Sequence, residues 1–345
     1  MLTVGLDAEH TRQSAAGIAR YALSLSAELR KIPEINLIDL GGGPLVPRGT
    51  LKKRLTTLRQ DFVWYPWLSR RSARNQGAQI YHSPLARGPL SRGSPPFVVT
   101  VPDLVAVRFP ETTTPWSRIY GSMTLKRVLD AADRIIAPSN DTADDLNSLL
   151  RIEARKIRVV PMGVDAHFFT ATNAKLPVGG PYVLFVGTPE PRKNLHRLVS
   201  AMMILRGRGF SERLVLVGGG GWGEQLRSDP HVSRMGRVSD DELLALYAGA
   251  SCLAIPSLHE GFGLPALEAM AAGTPVVAGK TGALPEVIGN AGVLVDPLSS
   301  TSIADGIAAA IAERATLVPK GRARAREFSW AKAAELTAAV YRELV

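Results

Sequence analysis

The sequence predicts an α/β protein of two Rossmann-like domains, each a parallel sheet with helices on both faces. Three observations predict it. Apolar, β-rich runs alternate with helical patterns along the chain, which is the signature of βα units. The length of 345 residues accommodates about two domains of ordinary size. Residues 166–181, containing Thr, Asn, Lys, Pro and Gly-Gly, show no clear periodicity and read as a linker.

In the first half, strands are expected over residues 2–6, 35–40, 97–101, 134–137 and 157–160, with a helix over 18–30. In the second half they are expected over 182–186, 214–217, 252–255, 275–278 and 293–295. Helices are expected there over 195–206, 240–248 and 303–314. The domains are therefore residues 1–165 and 175–330, their sheets facing across a cleft. A ligand belongs at the carboxyl ends of the strands, between the two.

Composition narrows the function classes. The chain is 46% hydrophobic with a mean hydropathy of +0.06, enough apolar material for two cores. It contains no stretch of about 18 uncharged apolar residues, so no membrane-spanning helix is expected. Residues 1–7 read as a strand and not as a leader peptide, and the single cysteine, Cys252, lies in an apolar run. Both features fit a reducing cytoplasm.

The charge is uneven. Residues 1–165 hold 23 Lys and Arg against 15 Asp and Glu, and the remainder 18 against 16. The excess is densest from Arg48 to Arg74, where Asp61 is the only acid. Leu51, Leu55, Leu58 and Phe62 fall there at helical spacing, followed by Trp64, Tyr65 and Trp67. Such a stretch suits an anionic membrane surface. The other reading is an ordinary helix whose apolar stripe faces the core. No nucleic-acid-binding signature accompanies the charge, and no nucleic-acid partner is expected.

The most informative motif is Glu260-Gly261-Phe262-Gly263-Leu264-Pro265-Ala266-Leu267-Glu268. It predicts a strand, a tight glycine turn and then a helix, with backbone N–H groups of the turn and helix N-terminus aimed at an anion. Glu260 falls after the strand and Glu268 on the first turns of the helix. A second motif, Gly187-Thr188-Pro189-Glu190-Pro191-Arg192-Lys193-Asn194, runs from a strand to adjacent cations at a helix start. Arg forks two phosphate oxygens and Lys adds a point charge, which suits a departing diphosphate. No Asp-x-Asp pair occurs anywhere, so that metal-holding carboxylate pattern is missing, and cations in place of a metal ion are coherent with its absence. A third, weaker motif is the small-residue turn Ser14-Ala15-Ala16-Gly17 after the first strand.

Together these motifs resemble glycosyltransferase family 4, whose members are retaining enzymes of the GT-B fold, and in particular its bacterial mannosyltransferase-like subgroup. The likeness extends through Ala137-Pro138-Ser139, Val159-Val160-Pro161-Met162-Gly163-Val164-Asp165, Gly236-Arg237-Val238, Ala271-Ala272-Gly273-Thr274-Pro275 and Gly282-Ala283-Leu284-Pro285-Glu286, and covers essentially the whole chain. It implies that the last helix, about residues 331–345, crosses back to the first domain. It also implies that domain 1 takes the acceptor and domain 2 the nucleotide-sugar donor.

The resemblance assigns roles residue by residue. Glu268 would bond the ribose hydroxyls, and Glu260 the transferred sugar, helped by the amides of Gly261, Phe262 and Gly263 beside Leu264. Arg192 and Lys193 would stabilise the diphosphate. Many members carry Arg directly after the first glycine. Here Thr188 follows Gly187, so Arg192 supplies that charge. Gly17 and Val238 would also line the donor. In the stretch 97–111 the family usually has His before Asp103. This chain has Pro102 there, while Asp103 remains a catalytic candidate. His82 and Arg108 are candidates on the acceptor side.

The resulting expectation is a metal-independent, retaining hexosyltransferase with no cofactor. It would move a mannose-type sugar, from a GDP-sugar in preference to UDP or dTDP, to a glycan or lipid-linked glycan in polysaccharide or glycolipid assembly. It would be cytoplasmic, with peripheral contact at the inner membrane face. Two alternatives stand beside it. Pro102 favours a non-catalytic nucleotide-sugar-binding protein of the same fold. Gly218-Gly219-Gly220-Gly221-Trp222-Gly223 satisfies G-x-G-x-x-G after a strand, which would fit an NAD-dependent oxidoreductase.

Overall fold

A computed structural model describes residues 1–8, 17–41, 51–113, 115–170, 178–219 and 230–345. The chain divides into two compact units, Met1–Gly163 with Trp330–Val345, and Val164–Ser329.

Unit 1 begins with β1 (Leu2–Asp7), α1 (Gly17–Leu29) and β2 (Ile35–Leu40). Next come α2 (Leu51–Arg59), a π-helix over Gln60–Leu68, and α3 (Ser69–Asn75). The unit continues through β3 (Ile80–Ser83), β4 (Phe97–Thr100), α4 (Val105–Arg108), α5 (Pro115–Ala131), β5 (Arg134–Ala137), α6 (Asn140–Leu150) and β6 (Ile157–Val159). Its sheet has the order β2-β1-β3-β4-β5-β6 with every pairing parallel. The central strands β3 and β4 are buried along their whole length, and β4 accordingly carries the continuous apolar run Phe97-Val98-Val99. Tyr81 stacks on Phe97 with ring centroids 5.2 Å apart, inside a cluster with Val99, Leu129, Ile135 and Leu146.

Unit 2 holds β7 (Tyr182–Val186), α7 (Leu195–Gly207), β8 (Arg213–Val217), β9 (Val232–Gly236), α8 (Asp240–Gly249) and β10 (Cys252–Ile255). It then runs through α9 (Leu264–Ala272), β11 (Val276–Gly279), α10 (Leu284–Ile288), β12 (Val293–Val295), α11 (Ser300–Ala312) and α12 (Arg314–Ala325). The sheet order is β12-β11-β10-β7-β8-β9, again all parallel. The chain starts in mid-sheet at β7, builds outward through β9, then returns to β7's other side with β10. The strand order therefore reverses between β7 and β10, the position where doubly wound sheets open a crevice for ligands. Local signals fix the flanking helices. Ser239 and Glu242 close a reciprocal capping box at the start of α8. Gly263 opens α9 at φ 108°, where a Cβ would also lie 2.8 Å from Leu284, so this turn requires glycine.

The last helix, α13 (Trp330–Arg342), belongs to unit 1. Trp330 packs on Tyr21 at 6.0 Å. A buried polar chain also holds the helix. Tyr21 Oη and Thr100 Oγ1 are 3.0 Å apart, Thr100 Oγ1 lies 2.9 Å from His82 Nε2, and His82 Nδ1 lies 2.6 Å from Tyr341 Oη.

The structure departs from the sequence expectations in several places. Strand β9 was not anticipated, because Val232-Ser233-Arg234-Met235-Gly236 has few apolar residues; it is an edge strand and needs fewer. The helix expected over 303–314 is two helices broken at Glu313. The expected linker opens with an ordered 3-10 turn, Ala166–Phe169, capped by Asp165 accepting from the His167 amide at 2.9 Å. Its Phe168 is buried, edge-on to Tyr247 at 5.9 Å. Residues 171–177 of that linker lie outside the described residues. The apolar stripe of the basic stretch faces outward: Leu55, Leu58 and Phe62 are exposed. The side chain of Leu51 lies outside the described residues.

Candidate active site

The two principal motifs meet at the switch point of the second sheet. The loop after β7 carries Gly187 to Asn194, and the loop after β10 carries Pro256 to Gly263. Asn194 joins them. It adopts a left-handed φ of 60°, which Asn tolerates better than most residues. Its fully buried amide donates to the carbonyls of Pro256 at 2.9 Å and Pro297 at 2.6 Å. The Leu258 amide in turn donates to the Arg192 carbonyl at 2.7 Å. Backbone and side chain thus fix the cation loop against the glutamate loop.

Glu260 is the centre of the arrangement, only 7% exposed. Lys193 Nζ donates to its Oε1 at 2.6 Å, as does Ser257 Oγ at 2.6 Å, and Arg192 Nη1 donates to its Oε2 at 2.9 Å. Arg192 also donates to the His259 carbonyl at 3.1 Å, and its Nε to Glu190 at 3.1 Å. Two acids and two cations balance in this cluster, so burial leaves no net charge uncompensated. Burial alone would raise the Glu260 pKa, but Lys193 and Arg192, with the Ser257 bond, outweigh it and bring it from 4.5 to about 2. For Glu190 the balance tips the other way: burial is the largest influence, and its pKa is raised. Glu260 is therefore a fixed anion and a poor proton acceptor at neutral pH.

Glu268 lies on α9, nearly buried, and accepts from Tyr247 Oη at 2.8 Å. Tyr247 is fully buried on α8, and Thr274 Oγ1 donates to its carbonyl. The turn between the two glutamates, Gly261-Phe262-Gly263, is buried; Phe262 lies edge-on to Phe328 at 5.9 Å, and Leu264 begins α9. Gly187 pairs its amide with Val217 at 2.9 Å at the carboxyl end of β7, and Thr188 follows, partly exposed. Val238 lies just past β9, partly exposed, at the same strand ends. All the donor-side candidates except Gly17 thus fall in unit 2, on the loops at the carboxyl ends of β7, β9 and β10 or, for Leu264 and Glu268, on the first turns of α9.

Gly17, His82, Asp103 and Arg108 belong to unit 1. Gly17 opens α1, and residues 14–16 of its motif lie outside the described residues. Asp103 Oδ1 accepts from the Val105 amide at 3.2 Å, at the start of α4. Arg108 is half-exposed and ion-paired with Asp145. The expectation for His82 needs correction. It is 0% exposed, both ring nitrogens are bonded within the unit, and burial lowers its pKa to about 3. It is a neutral packing residue that holds β3, β4 and α13 together, not an acceptor contact.

Sequence reasoning missed Ser257 and Tyr247, and the roles of Asn194 and Gly282, which it named only within longer motifs. Gly282 has φ +58°, and a Cβ there would lie 2.6 Å from the Glu260 carbonyl oxygen and 2.8 Å from its nitrogen. Backbone cannot yield as a flexible side chain does. Gly282→Ala should cost about 2 kcal/mol or more in stability and displace Glu260, seen as a lower Tm together with lost activity.

Comparison with known proteins identifies the family. Residues 180–313 match the family model for "Glycosyl transferases group 1", and residues 15–168 that for "Glycosyltransferase Family 4". The chain belongs to glycosyltransferase family 4. Among its relatives, O-antigen chain mannosyltransferase B of Escherichia coli is 28% identical over 97% of this chain and 98% of its own length. The MMP alpha-(1->4)-mannosyltransferase of Mycolicibacterium hassiacum is 35% identical over 66% of this chain and 58% of its own length. Among solved structures, sucrose-phosphate synthase of Thermosynechococcus elongatus aligns over 100% of this chain and 99% of its own, with a TM-score of 0.74 at 22% identity. Anabaena HepE, solved in complex with UDP and glucose, aligns over 99% of each chain with a TM-score of 0.72 at 19% identity. This family 4 protein is thus a glycosyltransferase of the GT-B fold, and the dinucleotide reading of Gly218 to Gly223 falls. Residues 220–223 of that run lie outside the described residues.

Proposed function

We propose that this glycosyltransferase transfers a mannose-type hexose, with retention and without a metal ion, from a GDP-sugar to a glycan or lipid-linked glycan. The observation that carries the reading is the Lys193–Glu260–Arg192 cluster at the β7/β10 switch point of unit 2. Lys193 and Arg192 supply the charge that a departing diphosphate requires, from fixed positions and without reorganisation. Glu260, held ionised between them, accepts hydrogen bonds from sugar hydroxyls. Glu268, oriented by Tyr247, takes the ribose diol, and Val238 lies near the base. Unit 2 is the donor domain and unit 1 the acceptor domain.

Retention is what the family resemblance implies, and the state of Glu260 bears on the route to it. A carboxylate with a pKa of about 2, tied to two cations, is a weak base. The acceptor hydroxyl then attacks C1 on the face that the diphosphate leaves. The C1–O bond to phosphate breaks as the new C1–O bond forms, and the hydroxyl proton passes to the leaving phosphate oxygen.

The mannosyl preference is supported by the two relatives whose names specify mannosyl transfer. Three solved structures of one neighbour, Anabaena HepE, hold UDP with glucose, UDP, or UDP-glucose, which makes the uridine donor the competing case. A lipid-linked acceptor would place the reaction at the inner face of the cytoplasmic membrane. Among the described residues no helix is long and apolar enough to cross a membrane.

The test is transfer from GDP-mannose, UDP-glucose and dTDP-rhamnose in EDTA, with nucleoside diphosphate release and product anomeric configuration followed by NMR. Release from GDP-mannose with the α-configuration kept is expected. Donor binding without release would favour the non-catalytic reading that Pro102 raises. Tyr247→Phe, which frees the Glu268 carboxylate from one buried bond, should raise the donor Kd about 3–10-fold with kcat nearly unchanged. An equal fall in kcat would contradict a ribose role for Glu268.

A further inference from the structure

The run from α2 through the π-helix to α3 is amphipathic in an unusual sense: its outer face is apolar and basic at once. Asp61, Tyr65, Ser69 and Ala73, four residues apart, are buried against unit 1. The opposite face exposes Leu55, Leu58, Phe62, Val63, Trp67 and Leu68, with Trp67 exposed to 70%. Arg59, Arg71 and Arg74 are exposed on the same run. The only acid between Arg48 and Arg74, Asp61, is turned inward, paired with Arg87 and accepting from Trp116 Nε1 at 3.0 Å. Trp116, partly exposed on α5, lies edge-on to Phe62 at 6.0 Å and widens the patch. Trp64 and Tyr65 face inward: Trp64 Nε1 donates to Asp7 at 2.9 Å, and Tyr65 is fully buried.

Contiguous exposed apolar surface of this kind marks a docking site in a water-borne protein. The chemistry selects the occupant. The described exposed charges of this run are all positive, and the indole of Trp67 combines an apolar ring with a polar N–H, as at a membrane–water interface. A second copy of the chain would set like charges against each other. We propose that this face of unit 1 docks on an anionic lipid surface. Phe62 and Trp67 enter the headgroup boundary, and Arg59, Arg71 and Arg74 meet lipid phosphates. The inference deepens the lipid-linked acceptor reading, but its test needs no transfer activity.

The experiment is co-sedimentation with vesicles of phosphatidylglycerol and phosphatidylethanolamine, and separately of phosphatidylcholine alone, at low and high salt. Wild type, F62S/W67S and R71E/R74E are compared. Each is first checked for wild-type circular dichroism and for the wild-type Tm shift with GDP or UDP. Wild type is expected to pellet with the anionic vesicles at low salt, to detach at high salt, and to remain in solution with phosphatidylcholine. Each double variant should partition about 10-fold more weakly or less. The proposal is overturned if wild type stays in the supernatant, or if both variants pellet as wild type does. It is overturned equally if light scattering shows a dimer that F62S/W67S converts to monomer while vesicle binding is unchanged.

Discussion

Replacing Lys193 by Ala is expected to lower kcat by about 10²–10³-fold while raising the donor Kd by no more than about 10-fold. The asymmetry comes from when the charge is needed. On the proposed assignment, the ground-state diphosphate charge is shared with the sugar linkage and with Arg192. As the glycosidic bond breaks, an additional negative charge appears on the leaving oxygen. A fixed ammonium, buried beside Glu260 with its Nζ only 2.6 Å from that carboxylate, meets the charge without rearrangement. Glu260 keeps Arg192 and Ser257 in the variant, so the fold survives. Glu268→Ala should show the converse: donor Kd raised about 10-fold or more, with kcat little changed. Single-turnover kinetics with donor titration separates the two. Equal, small effects from both substitutions would contradict the assignments.

Replacing Glu260 by Gln is expected to abolish measurable transfer and to cost about 3 kcal/mol of stability at neutral pH, because Lys193 and Arg192 lose the anion that compensates them. The pH dependence gives a second readout. The folded pKa of about 2 lies below the ordinary 4.5, so the unfolded chain binds the proton more readily. The stabilisation, about 3 kcal/mol on this shift, is fully present above pH 4.5 and is lost as pH falls toward 2. Denaturant titrations across that window should show a steep acid loss for wild type and a flatter profile for Glu260→Gln. His82 adds to acid lability in both proteins, since its pKa of about 3 lies below the usual 6.5 and unfolding releases it to take up a proton.

The two parallel sheets, the strand–turn–helix at Glu260 to Glu268 and the cation loop after β7 were legible because each is written in contiguous residues. What brings them together is not. Lys193 and Glu260 are 67 positions apart, and only the return of β10 to the side of β7 places them in contact. Tyr247 and Ser257 carry no local signal, since an isolated Tyr on a helix and a Ser in a loop read as packing and turn residues. His82 misled for the opposite reason. Its place after a strand is the usual one for a ligand contact, but Thr100 and Tyr341, which take up both its nitrogens, lie 18 and 259 positions away. The Arg48 to Arg74 stretch showed its charge and its apolar residues in sequence, but periodicity alone leaves open which face meets the core. The inward turn of Asp61, Trp64 and Tyr65 decides that.

The most direct test of the central claim, a metal-independent nucleotide-sugar site in unit 2, is a thermal-shift panel. GDP, UDP, dTDP, ADP and NAD are each added with and without EDTA, to wild type and to Glu268→Ala. The account predicts that one nucleoside diphosphate, GDP foremost, raises the wild-type Tm with a concentration dependence set by its Kd. EDTA should leave that shift unchanged, and Glu268→Ala should lose most of it. A shift that requires divalent metal, or a shift with NAD alone, would contradict it.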